Sequence, residues 1–380
     1  MSDPETTGAP VERVDTQPES VPAATAPAPA TSGEVRKRRP RYPGKNPRRF
    51  EHKYKELRAE QYPEAAAHIE SRGKTLAGSH RPILVAEILE VLDPKPGEFG
   101  VDCTLGHAGH ALELLGRLRA DGAPGRLIGL DVDPLEMPRA EGRVRAAGHG
   151  PEAFQVVASN FAGLAGVLER VGWGLPSLIL ADLGVSSMQI DNPERGFTFK
   201  HDGPLDLRLN PTRGVAAHEW LASVRVGRLE TALREGADEP RAASLAAALV
   251  AAREKVGFRR TKVLAEWLRA WPDPATPREE VEKLVRRVFQ ALRIAVNDEY
   301  SALDTWLRNL PGCLAPGGRV AVLTFHSGED RRVKHAFRAG LDAGLYSEIS
   351  EEVRRPGAEE LRANPRSAPA KLRWARRGME

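Results

Sequence analysis

The stretch VDCTLGHAGHALELL (residues 101–115) passes from an apolar, strand-like start through a glycine-broken turn into a helical pattern. Gly106 and Gly109 allow the backbone to approach a ligand closely, and free N–H groups at a helix N-terminus can receive anionic groups. Ordinary strand–helix packing also uses such turns. The stretch alone therefore leaves three interpretations open: a nucleotide-like ligand site, a metal site formed by His107 and His110, or a tight loop.

Strand-like and helical segments alternate along much of the chain. Five apolar runs suit strands buried on both faces, namely GEFGVDCTL, GRLIGLDVD, AFQVVAS, SLILADLGVSS and GGRVAVLTFHS. Helical stretches separate the early runs, which predicts a doubly wound α/β domain. The long interval before the fifth run is mostly helical. We therefore predict an inserted all-helical domain at 208–290, between two parts of the α/β domain at 79–207 and 291–380.

The composition argues against several classes of protein. The chain has 380 residues, of which 41% are hydrophobic and 28% charged, and no apolar run approaches the length of a membrane span. The N-terminus lacks the apolar region of a secretory signal. Cys103 and Cys313 have no metal-ligand spacing, so we expect a cytoplasmic protein without a disulfide framework. The formal net charge of +4 permits a polyanionic partner without requiring one.

Residues 1–78 differ in composition from the rest of the chain. The first 33 residues are rich in Pro, Ala, Thr and Ser and cannot bury enough apolar surface to order themselves, which predicts disorder. A basic run at 35–55 follows, with aromatic residues among its Lys and Arg. This run fits equally a solvated linker and an arm that contacts phosphates and stacks on bases.

An acidic residue closes the second predicted strand, in LIGLDVDP. Asp131 is placed to accept hydrogen bonds from ribose hydroxyls, whereas Asp133 precedes a proline and has the pattern of a helix cap. The loop before it has neither the Gly-Lys-Ser/Thr of a phosphate loop nor Gly-x-Gly-x-x-Gly. These observations together favour a nucleoside ligand without a pyrophosphate, with S-adenosylmethionine as the leading candidate.

Three further segments carry polar or basic residues near predicted strands. A long glycine- and proline-punctuated loop (181–214) follows the fourth strand, and long ordered loops there are usually functional. The fifth strand ends in Phe-His-Ser and leads into a basic helix (323–338). The C-terminal tail, NPRSAPAKLRWARR (364–377), is rich in Arg and Lys.

Four stretches carry a resemblance to a known family: DLGVSSMQIDNPERGFTFKHDGPLDLR, FQALRIAVNDE, TFHSGEDRRVK and NPRSAPAKLR. In order and spacing they resemble the MraW/RsmH family of bacterial 16S ribosomal RNA cytosine-N4 methyltransferases, from about residue 79 to the C-terminus. The resemblance implies a class I, Rossmann-like methyltransferase domain with an inserted helical domain. It also implies S-adenosylmethionine as the methyl donor and a cytidine in the decoding region of the small ribosomal subunit as the substrate.

Carried over by position, the resemblance implies a set of donor-binding residues. Asp131 would hold the ribose, and Phe161 would lie near the adenine. The complete predicted set is Gly106, Ala108, Gly109, His110, Asp131, Phe161, Asp182 and Gln189.

The predicted catalytic group is Asp182, at the end of the fourth strand. The exocyclic amine of cytosine is a poor nucleophile, so an enzyme must extrude the base and bring N4 in line with the donor methyl. The Asp182 carboxylate would hold either the N4 hydrogens or the methionyl amine of the donor. Ser186, Ser187 and His326 are candidates to orient the base, with loop capping as the alternative. The chemistry calls for no metal ion.

RNA contacts are predicted at basic residues beside the candidate site, because phosphates dominate nucleic-acid affinity. The predicted set is Arg195, Arg208, Arg331, Lys334, Arg366 and Lys371.

Departures from the family pattern keep alternatives open. Ala108 stands where the family has Gly, Gly328 stands where it usually has Leu, and the stretch at 235–249 lacks a signature of the inserted domain. Ala at 108 would be disfavoured by about 1 kcal/mol if the position needs a positive φ. The alternatives are a methyltransferase acting on another RNA or on DNA, and a non-catalytic RNA-binding or ribosome-assembly factor that keeps the fold.

Overall fold

The computed structural model describes residues 82–380. Its strands are β1 Phe99–Asp102, β2 Arg126–Asp131, β3 Phe154–Ala158, β4 Leu178–Asp182, β5 Arg319–Thr324, β6 Tyr346–Ile349 and β7 Lys371–Arg377. They form one seven-stranded sheet in the order β3-β2-β1-β4-β5-β7-β6. β1 to β5 are parallel to one another, and β7 is antiparallel to both β5 and β6. The extension predicted at 1–78, with its basic run, lies outside the described residues.

The doubly wound α/β fold is confirmed, and all five predicted strands are present. β6 and β7 were not predicted. β7 coincides with part of the basic tail, where apolar residues are interspersed with Lys and Arg and give no continuous apolar run. In β7, Leu372 and Ala375 are fully buried, while Lys371 and Arg373 both bind the Asp330 carboxylate. The charged side chains interrupt the apolar pattern from which a core strand is predicted.

Helices cover both faces of the sheet. Those of the α/β part are α1 Val85–Leu92, α2 Gly109–Leu118, α3 Met137–Ala146, α4 Leu164–Val171, α5 Ser187–Asp191, α11 Glu299–Cys313, α12 Ser327–Asp342 and α13 Ala358–Ala363. Residues of α1–α3 share one apolar core with alternate residues of the strands. Residues of α4, α11 and α12 share a second core with the intervening strand residues. The period of two along each strand thus decides which core a side chain joins.

The interval between β4 and β5 is helical, as the apolar periodicity predicts. It contains α6 Ala217–Ser223, α7 Val226–Ala237, α8 Ala242–Val256, α9 Thr261–Ala270 and α10 Arg278–Val296. These helices share a third apolar core, which runs in sequence from Leu205 to Leu292. The predicted boundary at 290 falls inside α10. We therefore propose that the inserted domain begins in the loop after β4 and ends within α10.

None of the helices within residues 82–380 combines the length and apolarity that crossing a bilayer requires.

Candidate active site

Three aspartates end three neighbouring strands at the point where the strand order reverses. Asp131 ends β2, Asp102 ends β1 and Asp182 ends β4. The alternate residues that precede them, such as Leu127, Leu178 and Leu180, belong to the core under α1–α3. Because side chains alternate along a strand, all three carboxylates lie on that face in a staggered row, in which Asp102, paired with Gly129 and Leu180, lies two residues short of Asp131 and Asp182. Ligands of open α/β sheets bind at this place, outside the carboxyl ends of the strands.

The glycine-broken loop lies over this row. Gly106 has φ 48°, and its N–H donates to Asp131 Oδ2 at 2.8 Å. Ala108, directly before α2, has φ 60° and ψ 25° and is completely buried. The position predicted to be sensitive to a side chain thus does have a left-handed backbone. Gly109 begins α2, where a Cβ would lie 3.3 Å from Pro82.

His107 and His110 turn toward different carboxylates. His107 Nε2 lies 3.3 Å from Glu136 Oε2, whereas His110 Nδ1 lies 3.6 Å from Asp182 Oδ2. The His110 Nε2–H donates to the carbonyl of Ile83 at 3.0 Å, which leaves the Nδ1 lone pair facing Asp182. The two histidines therefore do not converge, so the metal-site interpretation of this loop is dropped.

Asp182 is held in a setting that favours its protonated form. Burial raises its pKa to about 7, with a further contribution from the negative charge of Glu329. Its backbone N–H donates to the Thr104 hydroxyl at 2.6 Å, which ties β4 to the loop after β1. A carboxyl group with a pKa near neutrality can both release and accept a proton in the physiological range, as general acid–base groups must.

Asp102 is a site residue that the sequence reasoning missed. It is 1% exposed, and burial raises its pKa to about 6, against the opposing effect of nearby His110. Its Oδ1 accepts from the Thr104 N–H at 3.1 Å. The signal was available, because Asp102 closes the first apolar run just as Asp131 closes the second.

Asp131 supports two backbone turns at once. Oδ2 accepts from Gly106, and Oδ1 accepts from the N–H of Asp133 at 2.9 Å. Burial raises its pKa in spite of these bonds. Each carboxylate oxygen has two lone pairs, so both oxygens keep capacity for ribose hydroxyls.

The row of acids fits a positively charged nucleoside. Burial raises the pKa of Asp102, Asp131 and Asp182, and a nearby positive charge would favour their ionised forms. S-adenosylmethionine carries a sulfonium and an ammonium group, and its ribose needs acceptors. The residues present therefore fit this donor on charge and on hydrogen-bonding capacity.

The start of the long loop is capped by its own side chains. Ser186 caps α5, with Oγ accepting from the Gln189 N–H at 3.2 Å and Gln189 Oε1 accepting from the Ser186 N–H at 2.8 Å. The capping alternative therefore describes Ser186 Oγ as an acceptor, and its contact with the base remains a prediction. Gln189 also donates from Nε2 to Asp133 Oδ2 at 2.8 Å. Ser187 takes no part in the capping box and is half-buried, so it stays a candidate to touch the base.

Arg195 is an internal anchor, which does not fit the RNA contact predicted for it. It is 6% exposed, and Nη1 donates to the fully buried Asp133 at 2.7 Å. Its Nη2 donates to the carbonyls of Arg208 and Leu209. Asp133, expected to be a helix cap, thus joins Gln189 and Arg195 and holds the long loop against the donor side of the sheet.

His326 caps its own helix. It precedes α12, and its Nδ1 accepts from the Glu329 N–H at 3.4 Å, while Nε2 lies 3.1 Å from Glu329 Oε1. Burial opposes ionisation of Glu329, but the bond from His326 and the charge of Arg293 outweigh it and lower the Glu329 pKa. The capping alternative thus describes Nδ1, and the contact of His326 with the base remains a prediction.

Gly328 occupies a position that has no room for a side chain. A Cβ there would collide with the hydroxyl of Tyr300. The Arg332 guanidinium carbon lies 4.1 Å from the centroid of the Tyr300 ring. The Tyr300 hydroxyl donates to the carbonyl of Glu235 at 3.3 Å. Tyr300 thus fills the space that a leucine at 328 would need.

Phe161 lies away from the three aspartates. It is half-buried after β3, packs edge-on against Trp306 at 5.8 Å and joins the core on the opposite face of the sheet. Its contact with adenine remains a prediction.

The remaining predicted RNA-contact residues lie at or near the surface, most of them in ion pairs. Arg208 holds Asp206 through two nitrogens, Arg331 pairs with exposed Asp238, Arg366 pairs with Asp191, Lys371 pairs with Asp330, and Lys334 is exposed. Surface pairs are weak enough to be exchanged for phosphate. The predicted contacts of these five residues remain predictions.

The chain is similar to known proteins along most of its length. The profile of the MraW methylase family matches residues 77–378. Ribosomal RNA small subunit methyltransferase H 2 of Alkaliphilus metalliredigens is 46% identical over 348 residues, which are 90% of this chain and 98% of the relative. Methyltransferase H 1 of Lachnoclostridium phytofermentans is 45% identical, covering 90% of this chain and 93% of the relative. Methyltransferase H of Anaeromyxobacter dehalogenans is 41% identical, covering 77% and 96%.

The first two of these matches extend beyond the predicted resemblance. A match over 90% of the chain is longer than residues 79–380, so it reaches into the basic N-terminal extension. That extension is therefore partly shared with relatives rather than peculiar to this chain.

Proposed function

This chain belongs to the MraW methylase family, and we propose that it transfers a methyl group to the exocyclic N4 of a cytidine in the decoding region of 16S ribosomal RNA. It is an S-adenosylmethionine-dependent ribosomal RNA methyltransferase. The N4 atom, the decoding region and the assembled small subunit as substrate are the proposed parts. The observation that supports them best is the position of Asp182, which closes the row of acids on the side of β5.

The donor would be held by the loop after β1 and by the first two acids of the row. Asp131 accepts from the ribose hydroxyls, and Asp102 faces the positive charge of the methionyl part. The turn from Gly106 to Gly109 lets the backbone lie close to the ligand. When bound, S-adenosylmethionine supplies an electrophilic methyl on a positively charged sulfur.

Asp182 would act on the acceptor amine. Its carboxylate accepts a hydrogen bond from N4–H, which raises electron density on a nitrogen whose lone pair is delocalised into the ring. It would then take the proton that N4 loses as the N–CH3 bond forms and the bond between the methyl and the donor sulfur breaks. A pKa of about 7 in the unliganded site suits this proton transfer, and His110 Nδ1 at 3.6 Å is the next acceptor in line.

The test uses small subunits from a strain that lacks this enzyme. Tritium transfer from labelled donor is measured, and the product nucleoside is identified by mass spectrometry. We expect N4-methylcytidine with the wild type and a loss of at least 100-fold with Asp182→Asn, within the usual range for a positioned acid–base group. Asp121→Asn, in an exposed turn, is the matched control.

The outcomes separate the alternatives. Methylation of transfer RNA or DNA, but not of the small subunit, would show that the proposed substrate is wrong. No donor binding by calorimetry would favour an assembly factor. A wild-type transfer rate in Asp182→Asn would remove the assigned role of Asp182.

A further inference from the structure

We propose, resting on the function above, that the ring of Phe325 is the surface on which the extruded cytosine stacks. Phe325 continues the row of strand-end residues on the same face of the sheet. Asp182 pairs with Leu323 across β4 and β5, and Phe325 lies two residues beyond Leu323. Because the period along a strand is two, the order across β2, β1, β4 and β5 is acid, acid, acid, aromatic ring.

The ring is fixed from below and open on the loop side. Phe325 is half-buried and packs against the core under α1–α3. Its backbone N–H donates to Glu329 Oε2 at 2.9 Å, which sets the direction in which the chain leaves β5. Beside the ring stands exposed Gly184, with φ 103°, where a Cβ would lie 3.9 Å from Phe325 Cδ2. The absence of a side chain at Gly184 leaves room for a flat group next to Phe325.

The residues of the row differ in chemistry, and they suit two different ligands, the methyl donor and the extruded base. The carboxylates of Asp131 and Asp102 match the charged donor, while an uncharged aromatic surface does not. An extruded base needs a stacking partner and hydrogen bonds on its edge. Ser186 Oγ and His326 Nδ1 each accept a backbone N–H of the helix that they precede. We assign Asp182 and Ser187 to the edge of the base, and Phe325 to its face.

The decisive comparison is between leucine and an aromatic replacement. Phe325→Leu keeps an apolar side chain of similar size but removes the π face, whereas Phe325→Tyr keeps that face. Stacking of a base on an aromatic side chain predicts a fall in kcat/KM for small subunits of about 5- to 100-fold in Phe325→Leu. Phe325→Tyr should retain most of the activity. Phe99→Leu is the control, because it makes the same change at the amino end of β1, away from the candidate site.

Donor affinity, measured by calorimetry on each variant, should stay at the wild-type value. Wild-type kcat/KM in a folded Phe325→Leu variant would overturn the proposal, as would a loss of donor affinity that matches the loss of kcat/KM. The wild type, measured in the same assay, distinguishes failure of the stacking proposal from failure of the proposed function. If it forms N4-methylcytidine and Phe325→Leu equals it, only the stacking proposal fails. If the wild type methylates no cytidine, the proposed function is wrong, and the stacking proposal is wrong as well.

Discussion

Ala108 combines a left-handed backbone with a completely buried methyl group. Two effects of a change to glycine therefore oppose each other. Relief of the left-handed conformation stabilises by about 1 kcal/mol, while the lost methyl and the greater freedom of the unfolded chain destabilise by a similar amount. Glycine at this position would relieve the left-handed backbone, whereas alanine offsets the strain by packing its methyl group in the core.

We expect Ala108→Gly to change the free energy of unfolding by less than about 1 kcal/mol. Ala111→Gly, also fully buried but in the regular part of α2, loses the methyl without any relief and should be more destabilising by about 1 kcal/mol. Urea unfolding of both variants gives the comparison. Equal destabilisation would show that Ala108 carries no strain.

Protonation of Asp102, which faces the donor, and of Asp182, whose charge lies close to Asp102, should affect donor affinity. Their pKa values of about 6 and about 7 in the unliganded protein mean that both are neutral at low pH and attract a cation weakly. Affinity for S-adenosylmethionine should therefore rise as pH increases from about 5 to about 8, by up to about tenfold per pH unit for each proton released. S-adenosylhomocysteine has no sulfonium charge and should show a shallower rise.

Calorimetry across this pH range, with Asp182→Asn as the variant that removes part of the slope, checks the prediction. The same groups affect stability in the opposite direction. Since their folded-state pKa values are raised, they stabilise the unliganded fold below pH 4 and lose that contribution as pH rises through 6 and 7. A donor affinity that is flat with pH would contradict the assignment of Asp102 to the donor.

At the scale of elements, α11 and α12 are fitted to each other through Tyr300 and Gly328. The hydroxyl of Tyr300 occupies the place of any Cβ at 328. Gly328→Leu should therefore destabilise the fold by about 1–3 kcal/mol, the usual range for overpacking. Tyr300→Ala in the same chain should recover part of this loss, with a coupling of at least about 0.5 kcal/mol. Thermal or urea unfolding of the four members of the cycle measures it, and strict additivity would refute the compensation.

The elements differ in how far the sequence predicts them. Strands β1–β5 are predictable because both faces are buried, so apolar residues run without a break. β7 is not, since Lys371 and Arg373 lie within the sheet and are balanced by Asp330, which is remote in sequence. The same cause explains why the burial of Arg195 is not predictable. Asp131 and Asp182 are marked by their place at strand ends, whereas Asp133, the partner of Arg195, becomes evident only in the folded chain.

At the scale of the whole molecule, exposed cations lie on helices of both faces of the sheet. α12 begins beside the candidate site, and its exposed Lys334 lies two turns along it. Arg117 is exposed in the last turn of α2, which also begins beside the site but packs on the other face of the sheet. We expect an RNA that delivers a base to Asp182 to lie along α12, where Arg331 is also a predicted contact, and not along α2.

Lys334→Ala should therefore weaken binding to the small subunit and reduce the dependence of log K on log salt by about 1, as the loss of one phosphate contact does. Arg117→Ala should leave both quantities unchanged, and neither variant should alter donor affinity. Filter binding at several salt concentrations distinguishes them. If both variants reduce the slope equally, the basic residues act through net charge alone, and the polyanion approaches the molecule without a preferred side.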